Sequence, residues 1–216
     1  ADAQVVIVNG VNYDPWIDKL LQSNPNPKRI VISAAKLMGR KPGDNPHLWY
    51  DPATMPRVAE AITATLTAAD PAHATDFATN LNTLLGSLER IDTRIAALRG
   101  KYQGTPVTAT EPVFGPMAQA LGLTMRNERF QIAVMNDTEP SAHDLAEIER
   151  DLKERKVKLL FYNSQVSEAL VTRLRDLAKA SNIPVVGVTE TLPAGQYFQN
   201  WMLSELDATE KALGGK

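Results

Sequence analysis

Three side chains in this sequence have the type and setting to bind or move charge: the imidazole of His47 and the carboxylates of Glu111 and Glu190. His47 lies in Asn45-Pro46-His47-Leu48-Trp49-Tyr50-Asp51-Pro52, between two prolines and beside two aromatic residues. Pro46 biases Asn45 to extended backbone, and Pro52 suits the first turn of the helix expected after it. The imidazole is therefore expected on a short, stiff loop that fixes its direction, as a metal site requires of a neutral histidine. Taken singly, a loop histidine is more often a solvated bystander than a ligand. Glu111 follows Thr105-Pro106-Val107-Thr108-Ala109-Thr110 and is locked by Pro112, while Glu190 follows Val185-Val186-Gly187-Val188-Thr189. Both stand at the carboxyl ends of expected strands, where α/β folds bind their ligands. A third polar group, Tyr162-Asn163-Ser164-Gln165, closes the strand expected at Leu159–Phe161. Each glutamate alone reads more readily as an exposed loop residue or a helix cap. Three polar strand ends directed to one edge point to a site, which is suited to metal ligation or to general acid/base work.

The elements that must position these groups are legible as short β-rich runs, each followed by a helical pattern. The strand runs are Val5–Val8, Arg29–Ser33, Val107–Ala109, Lys158–Tyr162 and Val185–Val188. Continuous apolar runs such as Leu159-Leu160-Phe161 predict strands buried on both faces, as in parallel sheets covered by helices. Ser141-Ala142-His143-Asp144 resembles a capping box that opens a helix to about Lys156, and a further helix is expected from Ser167 to Ser181. One stretch breaks the alternation. From Asp70 to Tyr102, the residues Phe77, Leu81, Leu84, Leu85, Leu88, Ile91, Ile95, Leu98 and Tyr102 recur at steps of three and four. This predicts one helix of about thirty residues, roughly 45 Å long at 1.5 Å per residue, reaching beyond one small α/β lobe. It reads as a spine between two lobes.

Composition narrows the partners. A net charge of −2 gives no footprint for a polyanion, so nucleic acid is not expected. No apolar run reaches the ~18 residues that mark a membrane span. With no cysteine there are no disulfides, thiolate metal sites or cysteine nucleophiles.

Over nearly its whole length the chain resembles the metal-binding solute-binding proteins of bacterial ABC importers for zinc, manganese and iron (the cluster A-I type). The Asn45–Pro52 stretch is similar to that family's histidine-ligand motif and is the most specific match. Val8-Asn9-Gly10 with Asp14-Pro15-Trp16-Ile17-Asp18-Lys19-Leu20 resembles the stretch after the family's first βα unit. Thr110-Glu111-Pro112-Val113-Phe114 resembles its third-ligand motif and Val188-Thr189-Glu190-Thr191-Leu192 its fourth, where aspartate is usual. The resemblance implies two Rossmann-like α/β lobes with parallel sheets joined by the spine helix: 1–69 as the remainder of the N-terminal lobe, 70–103 as the spine and 104–216 as the C-terminal lobe. It implies His47, Glu111 and Glu190 as metal ligands in the interlobe cleft. Asn163, where the family often has glutamate, is expected to support them by hydrogen bonding. His73 and His143 are expected to be solvated. The family begins with a further βα unit carrying another histidine ligand, and this chain starts at the stretch beyond it. The first lobe is therefore expected to be incomplete, with a non-native oligomer as one outcome.

The function implied by the resemblance is that of an extracytoplasmic protein, in the periplasm or on the outer face of the cell membrane. It would capture a divalent ion for an ABC permease and would use no catalytic cofactor. One imidazole with two carboxylates suits Mn²⁺, yet the Irving–Williams order places Zn²⁺ higher, so the expected order is manganese, zinc, then iron. An unperturbed histidine would let protons compete below pH ~6.5. Two other readings stay open: a metal-dependent hydrolase using Glu111 and Glu190, and a surface adhesin of the same fold. The first lacks a Gly-rich phosphate loop, a nucleophile elbow or an HExxH helix, and no residue speaks for the second.

Overall fold

Short runs of β-branched residues next to helical patterns can bury their side chains only by stacking strand against helix. The computed structural model of the protein does this twice. It describes residues 2–214; Ala1, Gly215 and Lys216 lie outside the described residues. By its internal contacts the chain divides into two units, Ala1–Glu89 and Arg90–Lys216.

In the first unit, strand β1 (Val5–Val8) pairs in parallel with β2 (Ile30–Ser33), with Val5 opposite Ile30 and Val8 opposite Ser33. Helix α1 (Pro15–Ser23), opened by a proline in its first turn, makes the crossover. The short helix α2 (Ala34–Leu37) is capped by Ser33, whose side chain accepts the Lys36 N–H. Ala34, Ala35 and Leu48 form the buried centre, with Val11 and Val58 packed on it. Gly10 makes the tight approach after β1. Its φ is +82°, and a Cβ there would lie 2.8 Å from the Ala35 Cβ, so only glycine fits. A single turn at Leu48–Tyr50 leads to α3 (Thr54–Ala69). Pro52 falls in the turn before α3 rather than in its first turn, a place that Pro56 takes instead. In that turn Asp51 Oδ1 accepts the Ala53 N–H at 3.1 Å.

The long apolar stripe is one continuous helix, α4 (Ala74–Tyr102), of 29 residues. It begins four residues later than its periodicity predicts, because Pro71 opens a separate single turn at Pro71–His73. Its buried residues Leu88, Ile91, Ile95 and Leu98 repeat at steps of three and four.

The second unit holds a four-stranded, wholly parallel sheet of β3 (Pro106–Ala109), β4 (Thr124–Arg126), β5 (Leu160–Asn163) and β6 (Val185–Val188), in the order β4-β3-β5-β6. Strand β4 is not among the strands that the sequence predicts. It is short, mixed in polarity and on the sheet edge, so its residues carry little period-two signal. Helices α5 (Gly115–Ala120), α6 (Glu128–Met135), α7 (Ala142–Lys153), α8 (Ala169–Ala180) and α9 (Phe198–Gly214) alternate with the strands. A core of Phe130, Ile148, Leu152, Leu160, Leu174 and Ile183 ties α6, α7 and α8 to the sheet. Each such fully buried side chain stabilises the fold by roughly 1.5–3 kcal/mol. Ser141 caps α7 as its sequence predicts: its Oγ accepts the Asp144 N–H at 3.1 Å and donates to Asp144 Oδ2 at 2.6 Å. The strand order is that of a doubly wound sheet whose connections reverse direction between β3 and β5, and ligands of such sheets gather at the carboxyl ends of the strands there.

Candidate metal centre

In the second unit the sequence brings a charged or amide side chain to the carboxyl end of each of three adjacent strands. Ala109 pairs with Phe161, and Asn163 pairs with Val188. Glu111, two residues beyond Ala109, and Glu190, two beyond Val188, therefore flank Asn163 at the top of the sheet. The amide group of Asn163 joins them: its Nδ2 donates to Glu190 Oε2 at 3.1 Å and lies 3.5 Å from Glu111 Oε2. Asn163 is itself buried, and its Oδ1 accepts the Gln165 N–H at 3.0 Å, which fixes which face of the amide meets the carboxylates.

Glu111 is held from below. Pro112, Val113 and Phe114 form a buried turn, and the Phe114 ring stacks on Phe161 with centroids 4.6 Å apart. The other oxygen of Glu111, Oε1, is buried with no hydrogen-bond partner. Burial pushes the Glu111 carboxyl above its ordinary range. The Asn163 amide opposes this, and the neighbouring charges of Glu190, Glu168 and Asp137 add to it. Two carboxylates sharing one neutral amide, with a buried oxygen lacking a donor, form an acidic setting in want of positive charge. A bound cation would neutralise such a setting, as would a shared proton.

In the first unit His47 is 2% exposed. Its ring Nδ1 lies 2.7 Å from Asn45 Oδ1, and its backbone N–H donates to the same oxygen at 3.0 Å. An amide oxygen can only accept, so Nδ1 carries the hydrogen and the ring's lone pair is on Nε2. The Tyr13 and Trp49 rings meet the imidazole edge-on, with centroids 6.3 and 5.4 Å away. Asn9 Nδ2 donates to the Pro46 carbonyl at 2.8 Å, and Asp14 accepts the N–H groups of Asn9 and Gly10, so the loop after β1 braces the histidine loop. Burial lowers the His47 pKa from 6.5 to about 4, so the ring is neutral at physiological pH. Neutral Nε2 on a braced ring is the state in which histidine ligates a metal.

His73 and His143 are exposed, as their sequence settings predict; His73 Nδ1 pairs with Asp70 at 2.7 Å. His143, Asp144 and Glu147 bring possible ligand atoms within 4.8 Å of one another. Asp144 there is already engaged by Ser141 and by Arg129, and the positive end of α7 disfavours a cation. That group is a helix cap.

Local pattern gives no sign of Gln165's role and passes over Glu205, yet both hold the segment around Glu190. A signal for Glu205 is present in the sequence. Trp201, Met202, Glu205, Leu206 and Thr209 fall on one helical face and are all buried, so a glutamate stands on the apolar stripe of α9.

Known proteins resemble this chain, some in sequence and others in fold. Zinc-binding protein AdcA of Streptococcus pyogenes serotype M3 is 27% identical over 170 residues, an overlap covering 76% of this chain and 32% of that protein. The chain thus spans about a third of the length of this relative, and 46% of the zinc-binding lipoprotein AdcA of Streptococcus pneumoniae serotype 4. Among solved structures, the periplasmic zinc-binding protein TroA of Treponema pallidum superposes with a TM-score of 0.78 at 18% identity, covering 98% of this chain and 81% of that one. FpvC of Pseudomonas aeruginosa, solved in complex with Mn²⁺, superposes with a TM-score of 0.76 at 20% identity, covering 98% and 80%. These structures share the α/β fold found here. The family model described as ZnuA, zinc-uptake complex component A, periplasmic, matches residues 1–212, and the chain belongs to that family.

Proposed function

We propose that this chain is the extracytoplasmic solute-binding component of a metal ABC importer, which captures Zn²⁺ or Mn²⁺ reversibly and delivers it to a membrane permease. The observation that carries this reading is the pairing of Glu111 and Glu190 through Asn163, with Glu111 Oε1 buried and without a hydrogen-bond partner. His47, Glu111 and Glu190 are the proposed ligands, with Asn45 and Asn163 orienting them. The permease and the extracytoplasmic location rest on membership of the family. Among the described residues no helix is long and apolar enough to cross a membrane.

The ion is cargo, so the site needs tight capture without chemical turnover. Two carboxylates and one imidazole are acceptable to both candidate ions. Zn²⁺ is favoured by intrinsic affinity and by the zinc-binding relatives, and Mn²⁺ by the oxygen-rich donor set. Competition titration of the metal-free protein with Zn²⁺ and Mn²⁺ tests the reading, alongside turnover assays on ester and phosphate substrates. Saturable binding of one ion without turnover is the expected result. Metal-dependent hydrolysis that is lost on Glu111→Gln would replace this reading with the hydrolase one.

A further inference from the structure

We propose that Glu205 and Gln165 are positioning residues that clamp the proposed metal ligand Glu190 from both sides; this inference rests on the reading of Glu190 as a ligand. Glu190 lies in the irregular segment between β6 and α9, outside any strand or helix. Both of its chain neighbours are held by side chains. On one side Glu205 Oε1 accepts the Thr189 backbone N–H at 3.0 Å and the Thr189 Oγ1–H at 3.4 Å. The same oxygen accepts Trp201 Nε1–H at 2.9 Å, so the indole orients the carboxylate within α9. On the other side Gln165 Oε1 accepts the Thr191 N–H at 2.9 Å, and Gln165 Nε2 donates to Thr191 Oγ1 at 2.8 Å.

The second clamp closes a ring. Gln165 donates its backbone N–H to Asn163 Oδ1, and Asn163 donates through Nδ2 to Glu190 itself. The ligand's side chain and its flanking backbone are therefore held by one strand end. Glu205 is the more telling partner. It is 6% exposed on the apolar face of α9, where leucine would pack as well, and burying a carboxylate is costly unless donors meet it. Two of the three donors it gathers belong to Thr189, the residue before Glu190. Outer partners of this kind typically change metal affinity by about 10–100-fold.

The test is a set of Zn²⁺ and Mn²⁺ competition titrations on the full chain, with folding checked by circular dichroism. Glu205→Ala is expected to weaken metal binding by about 10–100-fold, and Gln165→Ala by about tenfold. Glu205→Gln keeps an acceptor oxygen and is expected to restore affinity to within about threefold of the unaltered chain. In the Glu190→Ala background, Glu205→Ala should add almost nothing, because a positioning residue has nothing left to position. Full additivity in that double variant, or unaltered affinity in Glu205→Ala while Glu190→Ala is impaired, overturns the clamp and leaves the ligand assignment standing. Unaltered affinity in Glu190→Ala overturns both. Should Glu205→Ala not fold, the exposed Gln165 decides. Gln165→Ala binding metal as the unaltered chain does would overturn the proposal, and a loss confined to chains that retain Glu190 supports it.

Discussion

Asn45 holds His47 twice with one oxygen: Oδ1 accepts the ring Nδ1–H at 2.7 Å and the backbone N–H at 3.0 Å. A two-residue Asx turn thereby selects the ring tautomer and its direction together. Asn45→Ala removes both bonds and with them the selection of the ring tautomer. Metal affinity is expected to fall by about 10–100-fold with little loss of fold, while His73→Ala and His143→Ala leave affinity unaltered. Calorimetric titration of the three variants checks this.

The pH dependence of the metal-free protein follows from the buried imidazole. The His47 pKa is about 4 in the fold against 6.5 when solvated. Below pH 6.5 the unfolded chain takes up a proton that the folded chain refuses, so stability falls as pH falls. The His47 contribution is complete above 6.5 and lost progressively down to about 4. At ~1.4 kcal/mol per pH unit the loss is roughly 3 kcal/mol. Urea titrations at pH 7 and pH 4, with His47→Gln for comparison, measure the part due to this ring.

Metal binding should have a different profile. An unperturbed histidine would let protons compete from pH ~6.5, but burial of His47 moves that competition down towards 4. Glu111 is shifted the other way, because burial and then its acidic neighbours raise its pKa above 4.5. As pH falls, the folded state takes up a proton at Glu111 before the unfolded chain does, so this group favours the metal-free fold at acid pH and competes with the ion. The first loss of affinity on acidification is therefore expected from Glu111. Affinity measured against pH should show that step displaced in Glu111→Gln; an unchanged profile in this variant would assign the competing proton elsewhere.

Gly10 links the fold of the first unit to its histidine. Gly10→Ala would force an L-residue to φ +82° with its Cβ 2.8 Å from the Ala35 Cβ. A cost of about 1–3 kcal/mol is expected. Because the same loop carries Asn9, which donates to the Pro46 carbonyl, the variant should also weaken metal binding. Thermal unfolding and titration together check both effects.

Much of the scaffold is written in local pattern. The runs Val5–Val8 and Val185–Val188 are strands with the bounds their composition predicts, and the apolar stripe from Phe77 to Tyr102 is one helix. These result from properties of neighbouring residues: β-branching, period and capping. The residue types at the candidate site are legible for the same reason, since Pro46 and Pro112 mark rigid positions beside His47 and Glu111. Strand β4 is not, because an edge strand of mixed polarity takes its pairing from β3 rather than from its own pattern. The sharing of Asn163 between Glu111 and Glu190, the pKa of His47 and the hold of Glu205 on Thr189 are decided by tertiary structure alone. Each depends on distances between groups separated by sixteen or more residues, or on the exclusion of water by packed neighbours. The sequence determined which groups could serve; burial and strand register decided which of them meet.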